Sequence, residues 1–171
     1  PPEDEAVIKN INQTSFSEIQ FQGNNKLLEY IDQDIDNAYH KALLLEAKVH
    51  DLNKDQLKIV FTPIHGTSIT ALPQVLEKAG YQHIYVVPEQ KEPDGNFPTV
   101  SSPNPEDIEA LDMAVNLARK HDAHIVIGTD PDADRLGIAV RDKENEWFYL
   151  NGNQIMIVLT EYLLSIKQSK G

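Results

Sequence analysis

Cysteine is missing from the chain altogether. Disulfides, thiolate metal sites and cysteine nucleophiles are therefore excluded, and a reducing compartment fits. Basic residues are scarce as well, with 15 Lys and Arg against 27 Asp and Glu, a net charge of −12. Affinity for a nucleic acid rests on cations that neutralise phosphates, so no nucleic-acid partner is expected. No apolar run approaches the roughly 20 residues that span a bilayer, and no basic-then-apolar leader opens the chain. No membrane partner is expected, and the location read from these absences is cytoplasmic. The chain also starts on Pro1-Pro2 rather than on methionine, which suggests a piece of a longer protein.

What is present fits a globular domain with part of another: 171 residues, 40% hydrophobic and 25% charged. Residues 1–26 mix Asp, Glu, Asn, Gln and Ser and read as an irregular lead-in, with at most a short helix near residues 6–11. From Leu27, apolar residues at 28, 31, 35, 38, 39, 42, 45 and 49 keep the period of one helical stripe and predict a long amphipathic helix. "LKIVFTP" is a short β-branched run stopped by proline, a buried strand. "ITALPQVLEKAG" follows as a helix, with Pro73 near its start and Gly80 at its end. "IYVVP" is a second strand. The Pro/Gly/Asn-rich segment 89–106 is too long for a tight turn. Asn104, Pro105, Glu106 and Asp107 read as the start of the next helix. "AHIVIGT" and "LGIAVRD" are strands three and four, and "ENEWFYL" can extend or pair with the fourth.

Alternating strands and helices predict parallel strands with helices on both faces. Only about seven residues separate strands three and four, too few for a parallel crossover, so strand four should run antiparallel. The fold class read from this is α/β: a three-layer α/β/α arrangement around a mixed, mainly parallel four-stranded sheet whose last strand is antiparallel. The domain reading is a lead-in over 1–26, the α/β domain over 27–150, and a helix over 151–171 leading into a missing neighbour. That last helix, opened by the cap-like Asn151 and Asn153, is apolar almost all round.

Between strands three and four lies "GTDPDADR", which sets Asp130, Asp132 and Asp134 on alternate positions, followed by Arg135. Carboxylates at i, i+2 and i+4 in an irregular loop can turn toward one point, where without a cation they repel. Three hard oxygen donors suit Mg²⁺, with Mn²⁺ also possible, and Mg²⁺ keeps places for water or a substrate phosphate. A calcium loop of the EF-hand type fails, because its glycine and glutamate positions hold Arg135 and Arg141. A haloacid-dehalogenase-like phosphatase also sets Asp-x-Asp after a buried strand, but only 37 residues follow Asp134 to supply its remaining groups. A bare Asp-x-Asp often just stays hydrated; three alternating carboxylates between buried strands ask for more. A non-catalytic acidic module that binds a partner protein is the alternative from another class.

"GTDPDADRLGIAV" resembles the metal loop of the α-D-phosphohexomutases, the phosphoglucomutase and phosphomannomutase enzymes. "TPIHGTS" is similar to that family's Thr-Pro-x-His-Gly turn, and "EPDGNFPTVSSPNPE" to its Pro-Asp-Gly-x-Phe-Pro and Pro-Asn-Pro-Glu stretches, in the same order. The likeness covers about residues 27–165, the second of four domains and the start of the third. It implies that Asp130, Asp132 and Asp134 bind Mg²⁺ and that Arg135 is a catalytic residue beside a phosphoserine. It also implies a hexose phosphate substrate, handled together with the missing domains of the parent chain. No stretch of this chain resembles the family's phosphoserine loop, sugar-reading loop or distal phosphate loop, so the chain alone is expected to be inactive. Among other residues, His65 is expected to hold its own loop, and Gly66, Thr67 and Ser68 can offer N–H groups to an anion. His121 and His124 read as surface residues, and Trp147, Phe148 and Tyr149 as packing.

Overall fold

The computed structural model describes residues 2–23, 25–46 and 53–168. Two compact units separate between Asp34 and Ile35. In the first, α1 (Pro2–Gln13) is followed by 3₁₀ turns at Phe16–Glu18 and Asn25–Leu27. A twelve-residue helix thus stands where an irregular lead-in with at most a short helix near residues 6–11 was expected. Glu3, Asp4 and Glu5 in its first turn complement the helix dipole, a signal that outweighs the mixed composition.

The helix expected from Leu27 begins only at α2 (Gln33–Glu46). Asp32 Oδ1 accepts the Asp34 N–H at 3.3 Å, so an Asx-type cap starts the helix there. The expected stripe is not buried: Leu28, Ile31 and Ile35 are 54%, 74% and 57% exposed. The Val49 end of that stripe lies outside the described residues.

The second unit is built on a five-stranded sheet in the order β2-β1-β3-β4-β5. Its strands are β1 (Lys58–Thr62), β2 (His83–Val86), β3 (Ile125–Thr129), β4 (Leu136–Arg141) and β5 (Trp147–Leu150). β1 pairs parallel with β2 and β3, β4 runs antiparallel to β3, and β5 antiparallel to β4. The expected antiparallel fourth strand is present. The "WFYL" run adds a fifth strand to the four expected, through a turn at Asp142–Asn145 where Asn145 donates to Asp142 O.

Helices α3 (Leu72–Lys78), α4 (Ile108–His121) and α5 (Gly152–Gln168) complete the unit, and helices cover both sides of the sheet. Register explains which face α4 takes. Tyr85, Val60, Val126, Ala139 and Tyr149 form one row across the five strands. That row packs with Leu111, Ala114, Val115 and Ala118 of α4 in the central core. Two residues further along, on the same face, Gly128 and Gly137 sit opposite each other, and there a Cβ would meet Leu111 Cδ2 at 2.4 Å and Pro105 O at 2.0 Å. These two glycines let the segment leading into α4 lie directly on the sheet, at the edge from which the metal-loop candidate leaves.

α3 ends as expected, with Gly80 at φ +97. α4 starts later than its sequence signals suggest. Asn104 caps a separate turn, accepting the Glu106 N–H on Oδ1 and the Asp107 N–H on its carbonyl, and the helix begins at Ile108. With Pro105 buried against Gly137, the chain turns before the helix can form. α5 has the expected cap: Asn151 Oδ1 accepts the Gln154 N–H while Gln154 Oε1 accepts the Asn151 N–H, each at 3.0 Å. Ile155 is buried, whereas Ile157, Val158, Leu163 and Leu164 are more than half exposed. No helix among the described residues is long and apolar enough to cross a membrane.

Candidate metal centre

β1 and β3 are parallel neighbours, so the loops that leave their C-terminal ends emerge side by side. The loop after β3 runs from Asp130 to Arg135 and reverses the chain into β4. Ala133 takes the left-handed conformation, φ 64, and donates its N–H to Asp130 O, closing the bend. This brings Asp130, Asp132 and Asp134 together: each offers a carboxylate oxygen within 4.8 Å of the others. Asp130 is buried at 1% exposure, while Asp132 and Asp134 face solvent.

Asp130 is fixed by Arg135. Its Oδ1 accepts the Arg135 backbone N–H and its Oδ2 accepts Nε–H, both at 2.9 Å. Burial raises the Asp130 carboxyl pKa, but the backbone and side-chain hydrogen bonds from Arg135 outweigh it and hold the carboxyl below its ordinary value. Asp134 moves the other way. A hydrogen bond shared with Asp130, and then the charges of Asp132 and Asp130, push its carboxyl above the ordinary value. Asp134 therefore takes up a proton more readily than a free carboxyl does, and a cation placed among the three carboxylates would relieve their mutual repulsion.

The donor set fits a hard divalent cation. The three ligands are carboxylates, and each ionised oxygen of Asp130 keeps a lone pair beyond the one that Arg135 occupies. Arg135 itself is half exposed and lines a cleft of about 410 Å³ with Glu106, Leu136, Gly152 and Ile155.

The loop after β1 lies beside this one. Ile64 and His65 both take positive φ, 45 and 59, a sparsely populated conformation for side-chain-bearing residues. His65 is buried; its Nδ1 is 3.1 Å from Glu92 O and its Nε2 is 2.9 Å from Thr99 Oγ1. Since a carbonyl only accepts, Nδ1 carries the proton and Nε2 accepts from the Thr99 hydroxyl. Gln90, fully buried, accepts from Thr62 Oγ1 at 2.6 Å and donates to Thr99 Oγ1 at 3.0 Å. His65 thus holds its own loop, as expected, and also ties segment 90–99 to the end of β1.

A profile of the family "Phosphoglucomutase/phosphomannomutase, alpha/beta/alpha domain II" matches residues 37–143. The chain belongs to the phosphoglucomutase/phosphomannomutase family. A phosphoglucomutase of Staphylococcus epidermidis is 41% identical over 145 residues, which is 85% of this chain and 26% of that protein. A phosphomannomutase of Mycoplasmoides pirum is 37% identical over 153 residues, 88% of this chain and 28% of the relative. The chain therefore spans about a quarter of the length of the curated relatives it matches. Among solved structures, a phosphoglucomutase/phosphomannomutase family protein of Burkholderia thailandensis superposes with a TM-score of 0.60 at 22% identity, over 78% of this chain and 26% of that one. A phosphomannomutase-like protein of Thermus thermophilus gives 0.58 at 23% identity, over 80% of this chain and 30% of that one. Both likenesses concern the fold.

Within this phosphoglucomutase/phosphomannomutase domain, the remaining expected positions divide. Thr67 does not offer its N–H to an anion, because that group already donates to Pro131 O, and Gly66 donates to Pro63 O. His124 Nδ1 accepts the Lys58 N–H at 3.0 Å, and His121 stacks on Tyr85 with ring centroids 4.1 Å apart. Trp147 and Tyr149 pack against the core, whereas Phe148 is 53% exposed. Gln90 and Thr99 have no local signal in the sequence, since they are ordinary loop residues until the fold brings them to His65.

Proposed function

We propose that this chain is the metal-holding domain of an enzyme that moves a phosphoryl group between the 1 and 6 positions of a hexose phosphate through a phosphoserine and Mg²⁺. The observation that carries the reading is the convergence of Asp130, Asp132 and Asp134 within 4.8 Å at the C-terminal end of a parallel strand, in a chain of this family. Bound there, the cation would neutralise charge on a transferring phosphoryl group. Asp130, held by Arg135, would supply the fixed ligand, and the exposed Asp132 and Asp134 would supply the other two. Arg135 lines the cleft, and its guanidinium can meet a phosphate oxygen there. The substrate and the donor serine belong to the missing domains of the parent chain, so the fragment alone is inactive. The reading carries with it a cytoplasmic location.

The test is calorimetric titration of the chain with Mg²⁺ and Mn²⁺, alongside Asp132→Asn. Binding that the substitution weakens supports the reading. No binding of either metal by the wild-type chain contradicts it. Turnover of a hexose phosphate by the isolated chain would contradict the division of labour between domains.

A further inference from the structure

The two neighbours of Asp130 in sequence are gripped from outside the loop. Thr67 directs two donors at Pro131 O, its backbone N–H at 2.9 Å and its Oγ1 at 3.1 Å. Ser68 Oγ lies 2.6 Å from Thr129 Oγ1. Gly66 presses on the same spot: a Cβ there would stand 2.4 Å from Pro131 Cα and 2.6 Å from Pro131 O. Pro131 has a fixed φ and no N–H, so its carbonyl is its one backbone hydrogen-bonding group, and two donors hold it.

We propose that Thr67 and Ser68 are positioning residues for the metal centre, clasping Pro131 and Thr129 so that Asp130 is presented at a fixed point for the cation. This inference rests on the metal reading above. The clasp has a rigid base, since the turn that carries it is anchored through His65 to Glu92 and Thr99. It also explains an asymmetry in the site. Asp130 is held by Arg135 and flanked by clasped residues, while Asp132 and Asp134 stand in solvent, so the position of one ligand sets where the other two must meet it. The Thr67 side chain is itself exposed, so its hydroxyl bond adds little to global stability. Its effect is expected at the loop. Outer-sphere partners of this kind typically change metal affinity by about 10-fold or more.

The experiment is a Mn²⁺ titration followed by electron paramagnetic resonance of the free ion, with thermal unfolding measured on the same samples. The Thr67→Val/Ser68→Ala double variant is expected to bind Mn²⁺ about 10-fold more weakly than wild type. Thr67→Ser, which keeps the hydroxyl, is expected to stay within about twofold, since it preserves that outer-sphere bond. A folded double variant that binds Mn²⁺ as wild type does overturns the clasp and leaves the metal reading intact. Should the double variant not fold, Thr67→Val alone decides: wild-type affinity overturns the clasp, and weakened affinity restored by Thr67→Ser supports it. A wild-type chain that binds no Mn²⁺ overturns the metal reading and the clasp together.

Discussion

Arg135 donates its backbone N–H to Asp130 Oδ1 and its Nε–H to Asp130 Oδ2, each at 2.9 Å. Both ends of the reversing loop are thereby tied through one buried carboxylate, and acid should loosen it. The Asp130 carboxyl is held below its ordinary value, so its stabilisation is fully present above the unfolded-state pKa and is lost as pH falls through the lower, folded one. Asp130→Asn should therefore flatten the acid limb of the stability–pH curve and cost about 1 kcal/mol at neutral pH, discounted for the exposure of Arg135. Urea unfolding at a series of pH values measures both.

Asp134 gives the metal site its own pH dependence. Its carboxyl is raised, first by the hydrogen bond it shares with Asp130 and then by the neighbouring charges. A protonated Asp134 cannot donate that oxygen to a cation, so Mn²⁺ affinity should fall as pH drops through the raised value. Binding in that range should release protons. Titrations in two buffers of different ionisation enthalpy reveal the release, and heats that do not depend on the buffer would count against it.

Close backbone approach also limits which residues the sheet accepts. Gly137→Ala would set a Cβ 2.0 Å from Pro105 O and 2.6 Å from its carbonyl carbon, and neither atom can swing aside. The expected loss is about 3 kcal/mol. Gly95→Ala, with nothing within 4 Å of its Cβ position, should change stability by no more than about 0.5 kcal/mol. Chemical denaturation of the pair separates packing from glycine's general flexibility.

Much of this was legible in the sequence because each signal was local. β-Branched runs stopped by proline marked β1 and β2, and the short link between β3 and β4 forced an antiparallel strand. The alternating aspartates marked the loop in which they converge. Signals that depend on a partner misled. The apolar period beginning at Leu27 would make a stripe if the chain were helical there, but periodicity does not oblige residues 28–32 to be helical, and Leu28 and Ile31 stand exposed. Asn104 has capping chemistry, yet packing of Pro105 on Gly137 decides where α4 begins.

The buried knot around His65 shows why such partners escape a reading along the chain. Gln90 reaches Thr62, 28 positions away, and it meets Thr99 only because segment 90–99 folds back. Gln90→Leu would leave the Thr62 hydroxyl without its acceptor and the Thr99 oxygen without the amide that donates to it. A loss of about 2 kcal/mol is expected. Hydrogen exchange should quicken at the amides of His65 and Asp94, which bond Gln90 O and His65 O across the same turn.

The central claim is that a doubly charged cation joins the three aspartates, and anomalous diffraction from a crystal of this chain soaked in Mn²⁺ tests it most directly. The expected result is a single strong peak within metal-bonding distance of oxygens from Asp130, Asp132 and Asp134. Carboxylates that remain apart with no peak between them, at Mn²⁺ concentrations that saturate the crystal, would contradict it.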